Sequence, residues 1–191
     1  MIDVLSERAE AATQLLFQTL GGHRLAMAAL VRPRLLRRLD LASSGSEQVQ
    51  RQATLVRLMS ITESFCAARL LALGEDLVSP PDGSLTSILW EDAALDATRT
   101  WESQKDAFKK WLNVRPDWTQ IDGLAEARNA VAHGLGTLTR RQLKSRASTM
   151  TKLNRTGIAV NNDELLLTDD DLSRAAARCS ELIQELDRLT R

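Results

Sequence analysis

Residues 47–73, EQVQRQATLVRLMSITESFCAARLLAL, decide the fold class. Leu55, Met59, Cys66, Leu70 and Leu73 recur there at steps of three, four and seven, the spacing that lines one face of an α-helix. The stretch predicts a long helix with one buried side. Toward the N-terminus, Ser43-Ser44-Gly45-Ser46 reads as a short flexible link. Residues 3–20 form a helical pattern that Gly21-Gly22 should stop, and a second pattern from His23 to about Leu41 carries a kink at Pro33. Residues 1–42 thus read as a helical extension on a core of residues 47–191, one domain in all.

Toward the C-terminus, Gly74 to Gly83 is a loop around Pro80-Pro81, and Ser84 caps a helix expected to reach Leu112. Arg115-Pro116-Asp117 breaks the pattern, and Thr119 or Asp122 starts the next helix, which runs to Gly134 and Gly136. The basic stretch 139–155, TRRQLKSRASTMTKLNR, is helical from about Arg140. Gly157–Val160 and Glu164–Thr168 flank the polar turn Asn161-Asn162-Asp163 as a small β-hairpin. Thr168, followed by three aspartates, opens a final helix with Leu172, Ala176, Leu182, Ile183, Leu186 and Leu189. The expectation is an all-α bundle of five or six helices with one hairpin before the last.

Composition agrees and narrows the function. Hydrophobic residues make up 43% of the 191 and charged ones 26%, with 25 basic against 25 acidic side chains. Such a chain can bury a core, and its neutral total excludes wholesale electrostatic coating of nucleic acid, leaving local basic patches. No apolar run is long enough to span a membrane, and the charged N-terminus lacks a signal-peptide design, so a cytoplasmic protein is expected. Cys66 and Cys179 are the two cysteines, too few for a disulfide framework or a zinc site. Asp169-Asp170-Asp171 is explained by helix-start charge rather than by metal ligation.

Two histidines are present, His23 and His133. His23 follows two glycines, has no evident partner and reads as a surface or cap residue. His133 closes the helical segment Glu126-Ala127-Arg128-Asn129-Ala130-Val131-Ala132-His133. At about 100° per residue, Leu124, Val131 and Leu135 fall within about 20° of one line, the expected core face. Arg128 lies about 40° from that line and must reach a partner, while Asn129 and His133, four apart, are neighbours on the far side. Glu63, about 80° from the apolar line of the long helix, needs a cation if buried; Arg128, Arg69 or solvent could satisfy it. A purely architectural reading stays open, in which Arg128 packs by its stem and His133 meets the helix dipole.

The segment Arg128-Asn129-Ala130-Val131-Ala132-His133 resembles the R-x-x-x-x-H motif of the HEPN superfamily, including the polar residue after the arginine. Its surroundings, FKKWLNVRPDWTQIDGLAEARNAVAHGLG at 108–136, are similar to that family's long helix, tryptophan-bearing loop and motif helix. The hairpin and terminal helix resemble the small stand-alone RiboL-PSP-HEPN-like group, and the resemblance spans roughly residues 47–191. It implies a cofactor-free, metal-independent endoribonuclease of the toxin or phage-defence type, acting on tRNA or other RNA. The 2′-OH of RNA is the nucleophile, so the protein need only move protons and stabilise the phosphorane. In that reading His133 is general base or acid, Arg128 holds phosphate oxygens, and Asn129 orients His133 or binds the sugar. The products are a 2′,3′-cyclic phosphate and a 5′-OH.

One histidine is few for two proton transfers. The resemblance implies a homodimer in which two motifs meet across a two-fold axis. An antitoxin or other regulatory protein is an expected partner; silencing by tyrosine adenylylation, used by some HEPN toxins, is closed to a chain without tyrosine. A catalytically silent HEPN-like module that binds RNA or protein, and a purely structural helical dimer, are the alternatives. Arg140, Arg141 and Lys144 follow the motif directly and are the candidate RNA-backbone contacts, ahead of Arg32, Arg34, Arg37 and Arg38. Trp101 and Trp111 read as core or dimer packing, and Trp118 as the candidate for base stacking.

Overall fold

The long helix is present and longer than its apolar spacing required. In the computed structural model, which describes residues 5–31, 43–78 and 83–191, α2 spans Ser43–Val78. Leu55, Met59, Cys66 and Leu70 are fully buried along it, joined by Leu58 and Phe65. Ser43-Ser44-Gly45-Ser46, expected as a flexible link, is instead the first turn of this helix. Tertiary ties hold that end: Gln48 Nε2 donates to the Leu165 carbonyl at 2.9 Å, and Arg51 Nε donates to Asp169 at 2.7 Å. The helix also runs on past Gly74, where the loop was expected; the Trp90 indole lies where a Cβ on Gly74 would sit. Residues 79–82, with Pro80-Pro81, lie outside the described residues.

Helix α1 (Glu7–Val31) runs antiparallel to α2, since Arg8 reaches the Ala68 carbonyl while His23 reaches Thr54. It passes through Gly21-Gly22 without stopping. Leu16, Leu20, His23 and Met27, spaced four, three and four, are all buried. Packing of that stripe overrides the local preference of two glycines. His23 is accordingly not a surface residue: it is 3% exposed, with Nδ1 3.0 Å from the Thr54 hydroxyl and Nε2 3.4 Å from Asp169. The kink at Pro33 and the basic group Arg32, Arg34, Arg37 and Arg38 lie outside the described residues.

The third large helix, α8 (Asp169–Leu189), packs on both α1 and α2. Its N-terminus is a complete capping box between Thr168 and Asp171, and Leu172, Ala176, Cys179, Leu182, Ile183 and Leu186 are buried. At its far end Asp187 accepts from the Ser6 amide, and Arg69 donates to Thr190, closing α1, α2 and α8 together.

The helix expected over 84–112 is two, α3 (Leu85–Thr98) and α4 (Trp101–Leu112). Thr100 adopts extended geometry and accepts from the Ser103 amide, so a new N-cap interrupts the run. Asn113 ends α4 in the left-handed conformation, and α5 occupies Thr119–Gly134. The basic helix is likewise split at Ser145 into α6 (Arg140–Lys144) and α7 (Arg146–Thr156). Strands β1 (Ala159–Asn161) and β2 (Glu164–Leu166) pair antiparallel through a two-residue turn, with Asn162 and Asp163 both at positive φ. The described residues therefore contain eight helices, not five or six, and the all-α class with one hairpin before the last helix holds. None of these helices is long and apolar enough to cross a membrane.

Candidate functional site

Helix α5 carries the motif, and both its ends are pinned. At the start, Asp117 accepts from the Thr119 amide at 2.9 Å, and Trp118 packs edge-on against Trp101 and tilted against Phe108, with ring centres 5.3 and 6.1 Å away. Trp118 is therefore a packing residue, not an open platform for a base. Trp101 is buried in the core, and Trp111 lies against Trp90 at 5.5 Å.

At the other end, Leu135 turns left-handed at φ 52°, and the Gly136 amide donates back to the Ala130 carbonyl. Gly136 itself has φ 93°, a conformation that a residue with a Cβ rarely adopts, and it lies against the Gln52 amide. The Gly136 carbonyl accepts from Leu165, and Leu138 donates to Asp163, so the exit of α5 is stitched to the hairpin. Leu135 does not join the core, as its angle on the wheel suggested. It is 92% exposed, because a left-handed cap residue has left the helical path. The buried side of α5 is Ile121, Leu124, Ala127 and Ala130, with Val131 half-buried.

Arg128 finds the partner that its angle required. Its Nη2 contacts both carboxylate oxygens of Glu63 on α2, at 2.5 Å to Oε1 and closer still to Oε2. Its Nη1 donates to Asn129 Oδ1 at 3.1 Å. The two charged side chains are 25% and 23% exposed, so the pair sits at the rim of the core with one edge in water. Arg69, the other possible partner of Glu63, is turned to Thr190 instead. Asn129 is half-buried and serves Arg128; it makes no bond to His133. His133 is exposed and makes no hydrogen bond or ion pair among the described residues. Between Arg128 and His133 around the helix lie two small side chains, Ala125, which is half-buried against the core, and Ala132, which is exposed.

Arg140, Arg141 and Lys144 are exposed on α6 and likewise carry no ion pair among the described residues, whereas Arg146 is tied to Asp163 at 2.9 Å. A Thr139–Gln142 capping box orders α6, and the Gln142 amide donates to both the backbone and side chain of Glu126. Lys152 donates to the same carboxylate. Glu126 and His133 are seven apart, about 20° around α5 and about 10 Å along it. The anchor of α6 thus stands on the face of α5 that carries His133. The T-x-x-Q capping box could have predicted the ordered α6; nothing local in the sequence signals its docking on Glu126.

Burial pushes Cys66 far above the ordinary range and Cys179 up to about 11, so both stay protonated inside the α2–α8 contact. Among the described residues, no three His, Cys, Asp or Glu side chains gather where a metal ion could sit. No protein-family model, no curated protein and no solved structure matches the chain.

Proposed function

We propose that the chain is a HEPN-like, metal-independent endoribonuclease whose site is completed by a second copy, with Arg128, Asn129 and His133 as its working residues. The observation that carries this reading is the contrast on α5: an arginine held rigid at the core rim, and a histidine five residues on that is free in water. His133 is exposed, so its imidazole can reach a substrate and act as general base or acid. Arg128 keeps a fixed guanidinium whose remaining N–H groups suit phosphate oxygens.

Arg128 and His133 project about 140° apart around the helix, so one copy does not aim both at a single atom. The small side chains of Ala125 and Ala132, flanking Asn129, suit the approach of a second α5, which supports a two-fold arrangement with two arginines and two histidines near one cleft. Arg140, Arg141 and Lys144, on the His133 side, are then the contacts to the flanking RNA backbone. The RNA substrate includes tRNA as a candidate, and the chemistry is 2′-OH attack through a charged phosphorane.

A second reading has its own observation. The Glu63 carboxylate already neutralises Arg128, as a structural arginine in a silent RNA- or protein-binding module would be neutralised. Incubating the purified chain with total RNA in EDTA separates the two. The proposal expects discrete cleavage; intact RNA, bound or unbound, supports the silent module.

A further inference from the structure

Away from this site, three arginines converge on one small polar cavity between α5, α7 and α8. It has a volume of about 80 Å³ and is lined by Arg155, Arg174 and Arg178, with Gln120 and Thr156 among the polar walls. Among the described residues, no carboxylate lines it. Arg174 is positioned from outside the cavity: Asp171 holds its guanidinium while accepting the Thr168 amide and hydroxyl at 2.8 and 2.7 Å. Its guanidinium also passes beside Gly157, where Nη2 lies 3.4 Å from the position of a Cβ. Arg178 pairs with the exposed Glu181 one turn on. Arg155 and the Gln120 amide make no hydrogen bond or ion pair among the described residues, although Asp117 feels the Arg155 charge.

We propose that this cavity binds a single phosphoryl group, carried as inorganic phosphate or as the phosphate monoester of a nucleotide. Forked guanidiniums from two helices can each give paired N–H donors to a tetrahedral oxyanion, and Gln120 adds a neutral donor. The volume holds one phosphoryl group and leaves the rest of any ligand outside. The site is separate from the motif. Leu124, which also lines it, is nine residues before His133, about 180° around α5, so the inference does not rest on the ribonuclease reading.

The test follows the arginine Nε–H and Gln120 side-chain amide signals of the full chain by NMR, at constant ionic strength. Inorganic phosphate and AMP are added in separate titrations. The expected result is saturable shifts confined to Arg155, Arg174, Arg178 and Gln120, and at least tenfold weaker binding in Arg155→Gln/Arg178→Gln. Both replaced side chains are exposed, so the melting midpoint should not move; Arg155→Gln alone should weaken binding in the same direction. Tighter binding of AMP assigns a nucleotide, and equal affinity assigns free phosphate. Shifts spread over the exposed arginines generally, or unchanged affinity in the double variant, would overturn the proposal. So would preference for the diester ApA over AMP, which would mark a nucleic-acid track instead.

Discussion

Arg128 serves two ends at once, since the contact that holds it at the core rim also neutralises it. With a quarter of each side chain exposed, the Glu63–Arg128 pair falls between a surface pair and a buried one. Arg128→Ala should therefore cost about 1–2 kcal/mol, less than the ~3–5 kcal/mol of a fully buried broken pair. Urea melts would show it, and Glu63→Gln in the same background should return part of the loss. Arg128→Lys keeps the charge but loses the fork, and single-turnover cleavage should fall by about 2–4 kcal/mol in barrier terms with a small change in midpoint. A large midpoint shift in Arg128→Lys with cleavage retained would make the arginine architectural. At this scale much was legible: helical angle alone placed Arg128 beside the core and named Glu63 as a candidate partner. Leu135 was misread because the same angle was carried one residue past the helix end. His23 was misread because its partners, Thr54 and Asp169, are 31 and 146 residues away in sequence.

Helix α1 shows how packing decides an element that local sequence leaves doubtful. Nothing lies within 4 Å of a Cβ built on Gly21 or Gly22, and both are inside the helix, so neither glycine is sterically required. Gly21→Ala/Gly22→Ala should raise stability by about 1–2 kcal/mol through helix propensity alone, read as a higher urea midpoint. A lower midpoint would mean that α1 needs the flexibility. Acid should loosen the same helix. The Arg51 hydrogen bond holds Asp169 below the usual carboxylate range; at Asp187 burial acts upward, but the Ser6 hydroxyl and amide and Arg191 outweigh it. Both folded pKa values are depressed, so their contribution is complete above the ordinary carboxylate range and disappears as pH falls through the folded values. Urea midpoints should drop steeply over that acid interval, and Asp187→Asn should flatten the drop. The caps at Ser84 and Thr168, the break at Pro116 and the hairpin could all be read from local chemistry. The interruptions at Thr100 and Ser145 could not, since neither position carries glycine or proline and each break is set by a competing cap or a docked neighbour.

In the whole molecule, α1, α2 and α8 form the frame and α5 with α6 and the hairpin presents the motif at its edge. The all-α class was legible because the helical spacing of Leu55, Met59, Cys66 and Leu70 is followed by further helical patterns and one short hairpin, which leaves mainly helices to cover that face. The proposed mechanism needs a second proton carrier beside His133, and it assigns that part to a second copy. Light scattering should give twice the chain mass of 21.2 kDa at concentrations where RNA is cut; cleavage by a monomer at the same concentration would contradict the two-fold site. The most direct measurement is cleavage of total RNA in EDTA by the chain and by His133→Ala side by side, with the new ends mapped. The account predicts 2′,3′-cyclic phosphate and 5′-OH ends from the first, none from the second, and equal far-UV circular dichroism for both. Equal cleavage by a folded His133→Ala, with contaminating nuclease excluded, would contradict it.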